Sequence, residues 1–328
     1  MDSLENFTQL LRDKQNLEDD QIRLCIDFLT AEKVLLEEKE DFLLSLALKG
    51  ETAEETASFI NYFRELARNP ELHEFSDQAI DLCGTGGDRA GSFNISTFVS
   101  FILASAGVPV IKHGNRSISS KCGSADLLEA IGIPLELDIN QINESIKQLS
   151  FTFLFAPSFH PAFKHIAPVR KELAKKGVIT IFNILGPLIN PARPGFQLLG
   201  VYAQELVSRI GNSLKQTGIK SGYVVHGCVD DHPTITGVDE LTSSGQNIIC
   251  GFEQKKGIRN QIWGPEKFGL EYSKISDIKG GDLKMNLELM DLLLNNRAPT
   301  GLTSSILMNA ALAFMAIGKT NSLQGGVE

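Results

Sequence analysis

The sequence predicts an α/β protein in which a small N-terminal helical part precedes a larger α/β part. Three observations carry this. Residues 3–69 contain no proline and, before Gly50, no glycine, so nothing interrupts helical periodicity there. From Ala79 onward, short apolar runs ending in glycine loops alternate with helical stretches, which is the pattern of βαβ units and a parallel sheet. The chain has 328 residues, enough for two domains or for one large domain with an appendage.

Taken in order, "DDQIRLCIDFL" sets Ile22, Cys25, Ile26 and Leu29 on one helical stripe. "EDFLLSLALKG" closes on a glycine suited to a helix stop. "TAEETASFINYFRELARNPE" opens with Thr52 and Glu55 in a capping box and is expected to run to Asn69-Pro70. Three or four short helices result. They are too small to bury much core alone and are expected to pack on the rest of the chain or on a second subunit. "AIDLCG", "TFVSFILASAG" and "GVPVIKHG" then read as strand, helix and strand with a parallel pair. "SADLLEAIG" and "AQELVSRIGNSLKQTG" read as helices, and "FTFLFAP", "VITIFNI", "FQLLGVY" and "SGYVVHG" as further strands. "TSSILMNAALAFMAIG" is expected to be a buried helix.

Composition narrows the function classes. Net charge is −9, and residues 1–70 carry 16 acids against 8 bases. Nucleic-acid binding needs clustered Lys and Arg, so none is expected. No apolar run reaches the roughly 18 to 20 residues of a membrane span, and "MDSLENFTQLLRDK" lacks the form of a secretory signal. The five cysteines are scattered with no CxxC pair, which argues against a disulfide framework or a zinc site. A cytoplasmic protein without a membrane partner is expected.

The stretch "DLCGTGGDRAGSFNIST", residues 81–97, stands where a strand ends and a helix begins, the usual ligand position in an open α/β sheet. Its bare backbone suits close approach to an anion. Walker A fails because Ser92-Phe93 follows Gly91, and the dinucleotide fingerprint fails because Arg89 stands at the third glycine. A tight turn without a ligand fits this stretch equally well by itself. The next strand, however, leads into "KHGNRSISSKCGSADLLEAIG", which gathers Lys112, His113, Asn115, Arg116 and Lys121 among glycines and hydroxyls. One glycine-bare and one basic strand end, side by side, make a pocket for a polyphosphate. A lone histidine is more often structural than catalytic, and His113 is held as a candidate on those terms.

GTGGD (84–88), NIST (94–97), KHGNR (112–116), GSADLLEAIG (123–132), HPA (160–162), PVRKEL (168–173), TIFNILGPLINPA (180–192) and VDEL (238–241) occur in one order. Together they resemble the anthranilate phosphoribosyltransferase family, from about residue 5 to the end of the chain. The resemblance implies a helical domain at 1–71, joined by a segment near 160–180. It also implies an α/β phosphoribosyl-pyrophosphate-binding domain at 72–328, with a mostly parallel central sheet and surrounding helices. A homodimer through the helical domain is implied as well. The substrates would be phosphoribosyl pyrophosphate (PRPP) and anthranilate.

By the same resemblance, Gly84, Gly87, Asp88, Ser92, Asn94, Ile95, Ser96 and Thr97 line the PRPP. Lys112, His113, Gly114, Asn115, Arg116, Ser117, Ile118, Ser119, Ser120 and Ser124 form the facing loop. Ser96, Asp239 and Glu240 would serve two Mg²⁺ ions, whose hardness suits oxygen ligands. Without the family, Asp239-Glu240 reads as a solvated acidic turn. Arg170 would pair with the anthranilate carboxylate, and Asn115 with backbone at Gly84 would orient the ring and amine. No residue is expected to act as a general acid or base.

The sequence departs from the family at several points. Cys122 replaces a usual serine, and Ile179 stands at a usual arginine. About three residues are added after Leu173, and "CVDDHPTIT" is some eight residues longer than usual just before Asp239. Family members usually continue through one more helix after "GGVE". These departures keep two alternatives open: a paralogue with another aromatic or heterocyclic acceptor, and a non-catalytic relative that binds nucleic acid. The charge and the retention of GTGGD, NIST and DE together argue against the second.

Overall fold

The computed structural model describes residues 3–116, 121–229, 232–253, 256–257 and 260–328. The helical start comprises α1 (Leu4–Arg12), α2 (Asp19–Thr30), α3 (Leu36–Lys49) and α4 (Ala53–Glu65). The stripe of Ile22, Cys25, Ile26 and Leu29 on α2 is fully buried. Helix α3 stops at Gly50, whose φ of +84° suits glycine. The Thr52–Glu55 capping box opens α4, with Glu55 N–H donating to Thr52 Oγ1 and Thr52 N–H to Glu55 Oε2. Helix α4 ends at Glu65 rather than at Asn69-Pro70. The expected run past Leu66 is replaced by chain whose Arg68 N–H bonds to the Phe159 carbonyl.

A short helix α5 (His73–Ser76) leads into β1 (Ile80–Gly84), α6 (Ile95–Ser105), β2 (Val110–Gly114), α7 (Ser124–Ala130), α8 (Ile139–Leu149) and β3 (Phe151–Phe155). There follow α9 (Ala156–Phe159), α10 (Ala167–Lys175), α11 (Phe182–Leu185), β4 (Phe196–Gly200), α12 (Glu205–Leu214) and β5 (Ser221–Cys228). The chain then passes through β6 (Gly237–Val238), β7 (Asn247–Glu253), β8 (Lys256–Gly257) and β9 (Gln261–Trp263) to α13 (Leu283–Leu294), α14 (Thr300–Ala316) and α15 (Leu323–Val327). Among the described residues no helix is long and apolar enough to cross a membrane.

One expected strand is a helix. "VITIFNI" turns at Thr180, whose N–H donates to Asn183 Oδ1 while Asn183 N–H returns to the Thr180 carbonyl. A short apolar run fits helix or strand by periodicity alone. Here the side-chain turn at its start selects helix.

The sheet order is β3-β2-β1-β4-β5-β7-β8, with β6 on β5 and β9 on β7. The first five strands are parallel, and β7 runs antiparallel to β5. Successive side chains alternate between two apolar layers. Leu82, Leu198 and Val225 face α6 and α14, packing with Val99, Leu302 and Ile306. Leu199, Val224 and Phe252 face the other way, in one cluster with Phe59 and Phe63 of α4, Val169 of α10 and Ile210 of α12. Helix α10 packs on α3, so the N-terminal helices reach the sheet through this second layer. Each such buried side chain contributes about 1.5–3 kcal/mol relative to exposure.

The extra segment before Asp239 is pinned together at its described ends. Val229 N–H bonds to the Thr236 carbonyl, and β6 returns antiparallel on the tail of β5. Asp230 and Asp231 lie outside the described residues.

Candidate active site

The parallel strands deliver β1, β2 and β4 to one edge with their C-terminal ends together. Between Gly84 and Asn94 the chain makes the glycine loop. Gly86, Gly87 and Gly91 take φ values of +64°, +85° and +64°, and Arg89 sits at +59°. Side chains rarely adopt that region, which accounts for the glycines. Gly86 N–H donates to Asp239 Oδ2 at 2.7 Å, and Tyr202 N–H donates to Thr85 Oγ1 at 3.1 Å. The far arm is stitched by Gly280 N–H to the Gly91 carbonyl (2.8 Å) and Phe93 N–H to the Ile278 carbonyl (2.9 Å).

Under this loop lie three carboxylates. One oxygen each from Asp88, Asp239 and Glu240 falls within 4.8 Å of the others. Asp88 accepts Ala90 N–H at 3.1 Å and Asp239 N–H at 3.3 Å. Asp239 is only 7% exposed, so the pair with Glu240 is not the solvated acidic turn its sequence suggests. Glu240 Oε2 is buried with no hydrogen-bond partner. Burial first, and then the charge of Asp239, push Asp88 above the usual carboxylate range. Burial followed by the charges of Asp239 and Asp88 drives Glu240 up in the same way. Such a cluster is costly as it stands and suits a cation.

The start of α6 closes this pocket. Lys112 is buried, bonds to the Leu82 carbonyl and reaches Ser96 Oγ at 3.3 Å. Burial lowers its pKa. Its ammonium therefore braces Ser96 from below. Asn94 Nδ2 donates to the Cys122 carbonyl at 3.2 Å, while Asn94 Oδ1 and Thr97 Oγ1 are buried without partners. Ile95 is fully buried in the core, so only its backbone can serve a ligand.

On the facing side, Ser124 Oγ donates to the Asn115 carbonyl at 3.4 Å, and a Cβ at Gly114 would lie 2.5 Å from that hydroxyl. Arg116 is paired with Asp126 and Glu129 of α7 rather than turned to the glycine loop. Ser117, Ile118, Ser119 and Ser120 lie outside the described residues. The His113 ring lies on the opposite face from Lys112, with burial and the neighbouring His160 lowering its pKa well below the ordinary value.

Arg170 stands further along that second face. Its guanidinium lies 5.7 Å above the Phe182 ring and donates to the Phe182 carbonyl at 3.3 Å, and it makes no ion pair with a described residue. Burial lowers its pKa. A row of ring contacts joins it to β2: Phe182 to Phe163 at 5.7 Å, Phe163 to His160 at 5.7 Å, and His160 to His113 at 5.1 Å. That row of edge-to-face rings lies beside a cation with no ion-pair partner among the described residues.

Sequence reasoning put Asp88 with the donor-binding residues and missed that it completes the acidic cluster. The signal was available, since it is the only acid of the glycine loop. It missed Asp81 and Asn190 altogether, although a lone carboxylate inside the apolar run "AIDLCG" is an unusual strand residue.

Residues 76–328 match the family described as glycosyl transferase family, a/b domain. The anthranilate phosphoribosyltransferase of Persephonella marina is 42% identical over 87% of this chain and 81% of its own length. A crystal structure of anthranilate phosphoribosyltransferase from Thermus thermophilus matches with a TM-score of 0.86 and 37% identity, over 98% of this chain and 92% of that one. The anthranilate phosphoribosyltransferase of Saccharomyces cerevisiae, solved in complex with PRPP and Mg, shares the fold at a TM-score of 0.80 and 23% identity, over 99% and 91%.

Proposed function

The chain belongs to the glycosyl transferase family and, within it, to the anthranilate phosphoribosyltransferases, and on that premise we propose how its site works. It transfers the 5-phosphoribosyl group from PRPP to the amine of anthranilate, giving N-(5-phosphoribosyl)anthranilate and pyrophosphate in tryptophan biosynthesis. The observation that carries this reading is the meeting of a glycine loop with three packed carboxylates at the ends of parallel strands.

Anthranilate's aromatic amine is neutral near pH 7 and needs little activation. The harder event is departure of pyrophosphate from ribose C1, with positive charge growing on the sugar. Fixed donors around the leaving oxygens lower that barrier. The Gly87 and Asp88 amides and the hydroxyls of Ser92, Ser96 and Thr97 would supply them, with Gly84 and Asn94 lining the same site. The orphaned Thr97 Oγ1 supports this role, while the orphaned Asn94 Oδ1, an acceptor, would suit a ribose hydroxyl of the donor. On the facing side, by family resemblance, Lys112 to Ser120 with Ser124 would take the rest of the donor.

Magnesium fits the residues present, because the carboxylates are close, buried and in part unpartnered. Ser96, Asp239 and Glu240 would hold it, two ions by family resemblance, with Asp88 adjoining. When bound, it would neutralise charge on the departing pyrophosphate. Arg170 would take the anthranilate carboxylate as the partner it lacks, and Asn115 with backbone at Gly84 would set the amine opposite C1.

The division at 71/72, the joining of the 160–180 segment to the helical domain, the homodimer through that domain and a cytoplasmic location belong to the same reading. Contact of α10 with α3 supports the second of these. The direct test is loss of anthranilate fluorescence on addition of PRPP and Mg²⁺. No loss with anthranilate, but turnover with another aromatic amine, would move the protein to the paralogue reading.

A further inference from the structure

The seam between β1 and β2 is not an ordinary parallel ladder. Strand β1 pairs with β4 along its whole length, from Ile80↔Phe196 to Gly84↔Gly200. Strand β2 pairs with β3 equally fully, from Val110↔Phe151 to Gly114↔Phe155. Between themselves the two strands register only at Ile80↔Val110, where Ile80 N–H bonds to the Pro109 carbonyl. Continued regularly, the ladder would join Leu82 N–H to the Ile111 carbonyl and His113 N–H to the Leu82 carbonyl.

Side chains have taken those places. The Ile111 carbonyl accepts Asn190 Nδ2 at 2.8 Å. His113 N–H donates to Asp81 Oδ1 at 3.3 Å. The Leu82 carbonyl accepts the Lys112 ammonium. Asn190 Nδ2 also donates to Asp81 Oδ2 at 2.9 Å, and Asn190 Oδ1 accepts Ala192 N–H at 3.0 Å. Asp81 and Asn190 are 0% and 1% exposed. A buried carboxylate and a fully bonded amide thus form a plug between two strands that would otherwise close. The ladder between the two strands does not continue past Ile80↔Val110 toward their C-terminal ends, and those ends carry the glycine loop and the basic loop.

We propose that Asp81 and Asn190 are positioning residues: they wedge β1 and β2 apart and so set the spacing between the two loops that receive the phosphoribosyl donor. The proposal rests on the reading of those loops as the PRPP site. A wedge fits better than simple satisfaction of stray polar groups. Without the two side chains, Leu82, Ile111 and His113 could satisfy one another through the ladder, so the polar pair creates the need it meets.

Two variants test this. Asp81→Asn places an amide NH₂ against the amide of Asn190 and weakens the plug while conserving shape. Asp81→Leu with Asn190→Leu removes it and leaves the ladder free to close. For Asp81→Asn we expect KM for PRPP to rise about tenfold or more, with KM for anthranilate changed less than about twofold and melting still cooperative. In the double variant we expect calorimetric PRPP binding in the presence of Mg²⁺ to be lost, and a crystal structure to show Leu82 N–H bonded to Ile111. Unchanged KM values in folded Asp81→Asn would overturn the proposal. So would parallel rises in both KM values with a lowered melting temperature, the mark of a purely structural pair. If the double variant does not fold, Asp81→Asn alone decides. Wild-type protein that binds PRPP without using anthranilate would sink the acceptor reading, and calorimetry would still judge the wedge. Wild-type protein that does not bind PRPP would overturn both.

Discussion

Asp239 is seated in the glycine loop from far along the chain: its Oδ2 accepts the Gly86 amide hydrogen at 2.7 Å, across 153 residues. A Cβ on Gly84 would lie 2.2 Å from the same oxygen. The loop and the acidic cluster are therefore one unit. The shape of the first fixes the carboxylate of the second.

Gly84→Ala is expected to disable the site through Asp239 rather than through the backbone. Gly84 has an ordinary φ, so the methyl brings no strain of its own. It must push out the carboxylate. We expect transfer to fall by about a hundredfold, the scale of a lost oxyanion-type contact. Titration should show weakened Mg²⁺ binding in a protein that still melts cooperatively. Normal Mg²⁺ binding with lost transfer would separate the loop from the acids.

The acids themselves carry a stability consequence. Glu240 is raised by burial and by its like-charged neighbours, so it opposes folding while no cation is bound. Asp239→Asn with Glu240→Gln is expected to remove most transfer at limiting Mg²⁺. The same variant, free of metal, should melt at or above the wild type, and added Mg²⁺ should no longer raise its melting temperature. A variant that melts well below the wild type without metal would mark the pair as structural.

For Arg170→Ala, the asymmetry between substrates is the measurement. The guanidinium is half-buried, held over Phe182, and makes no ion pair with a described residue. Losing a charge-assisted bond to a ligand costs about 1.5–3 kcal/mol. That predicts a rise of roughly 10- to 150-fold in KM for anthranilate, with little change for PRPP. Equal movement of both constants would remove Arg170 from the acceptor site.

Much of this was legible in the sequence, and the misses have physical causes. The α2 stripe, the Thr52 capping box and the Gly50 stop are local signals, and each stands as read. "VITIFNI" failed because its outcome depends on one turn at Thr180. The acidic pair at 239 and 240 reads as surface until the chain brings Gly84 and Gly200 against it, where a Cβ at either position would collide with Asp239. The Asp81–Asn190 plug joins residues 109 apart. No periodicity reports a contact of that kind.

Acid should expose the second-face ring row. Burial holds His160 at about 4, below the ordinary 6.5. Above about pH 6.5 neither the folded nor the unfolded state carries the proton. Below it the unfolded chain takes one up and the folded ring does not, so stability is lost as pH falls from 6.5 toward 4. The full loss is roughly 3 kcal/mol. His160→Gln should therefore show a smaller fall in melting temperature between pH 7 and pH 5 than the wild type. His113, shifted the same way, keeps the remainder. Identical falls would mean that His160 is not the group titrating.

The last test separates a ligand contact from a turn. Gly86 has a φ of +64°, and apart from its chain neighbours no described residue comes within 4 Å of where a Cβ would stand. Gly86→Val thus meets only backbone strain from the protein itself, about 1–3 kcal/mol. Gly107, in the turn after α6, provides the control, with a φ of +75° and the same open space. Both valine variants should lose stability by similar amounts. If a phosphate oxygen occupies the space over Gly86, only that variant should lose calorimetric PRPP binding at a temperature where both are folded. Retained binding in Gly86→Val would mean that the glycine serves the turn and that the phosphate lies elsewhere. Lost binding in both would assign the effect to strain carried through α6, because Gly107 and Gly86 flank the same helix.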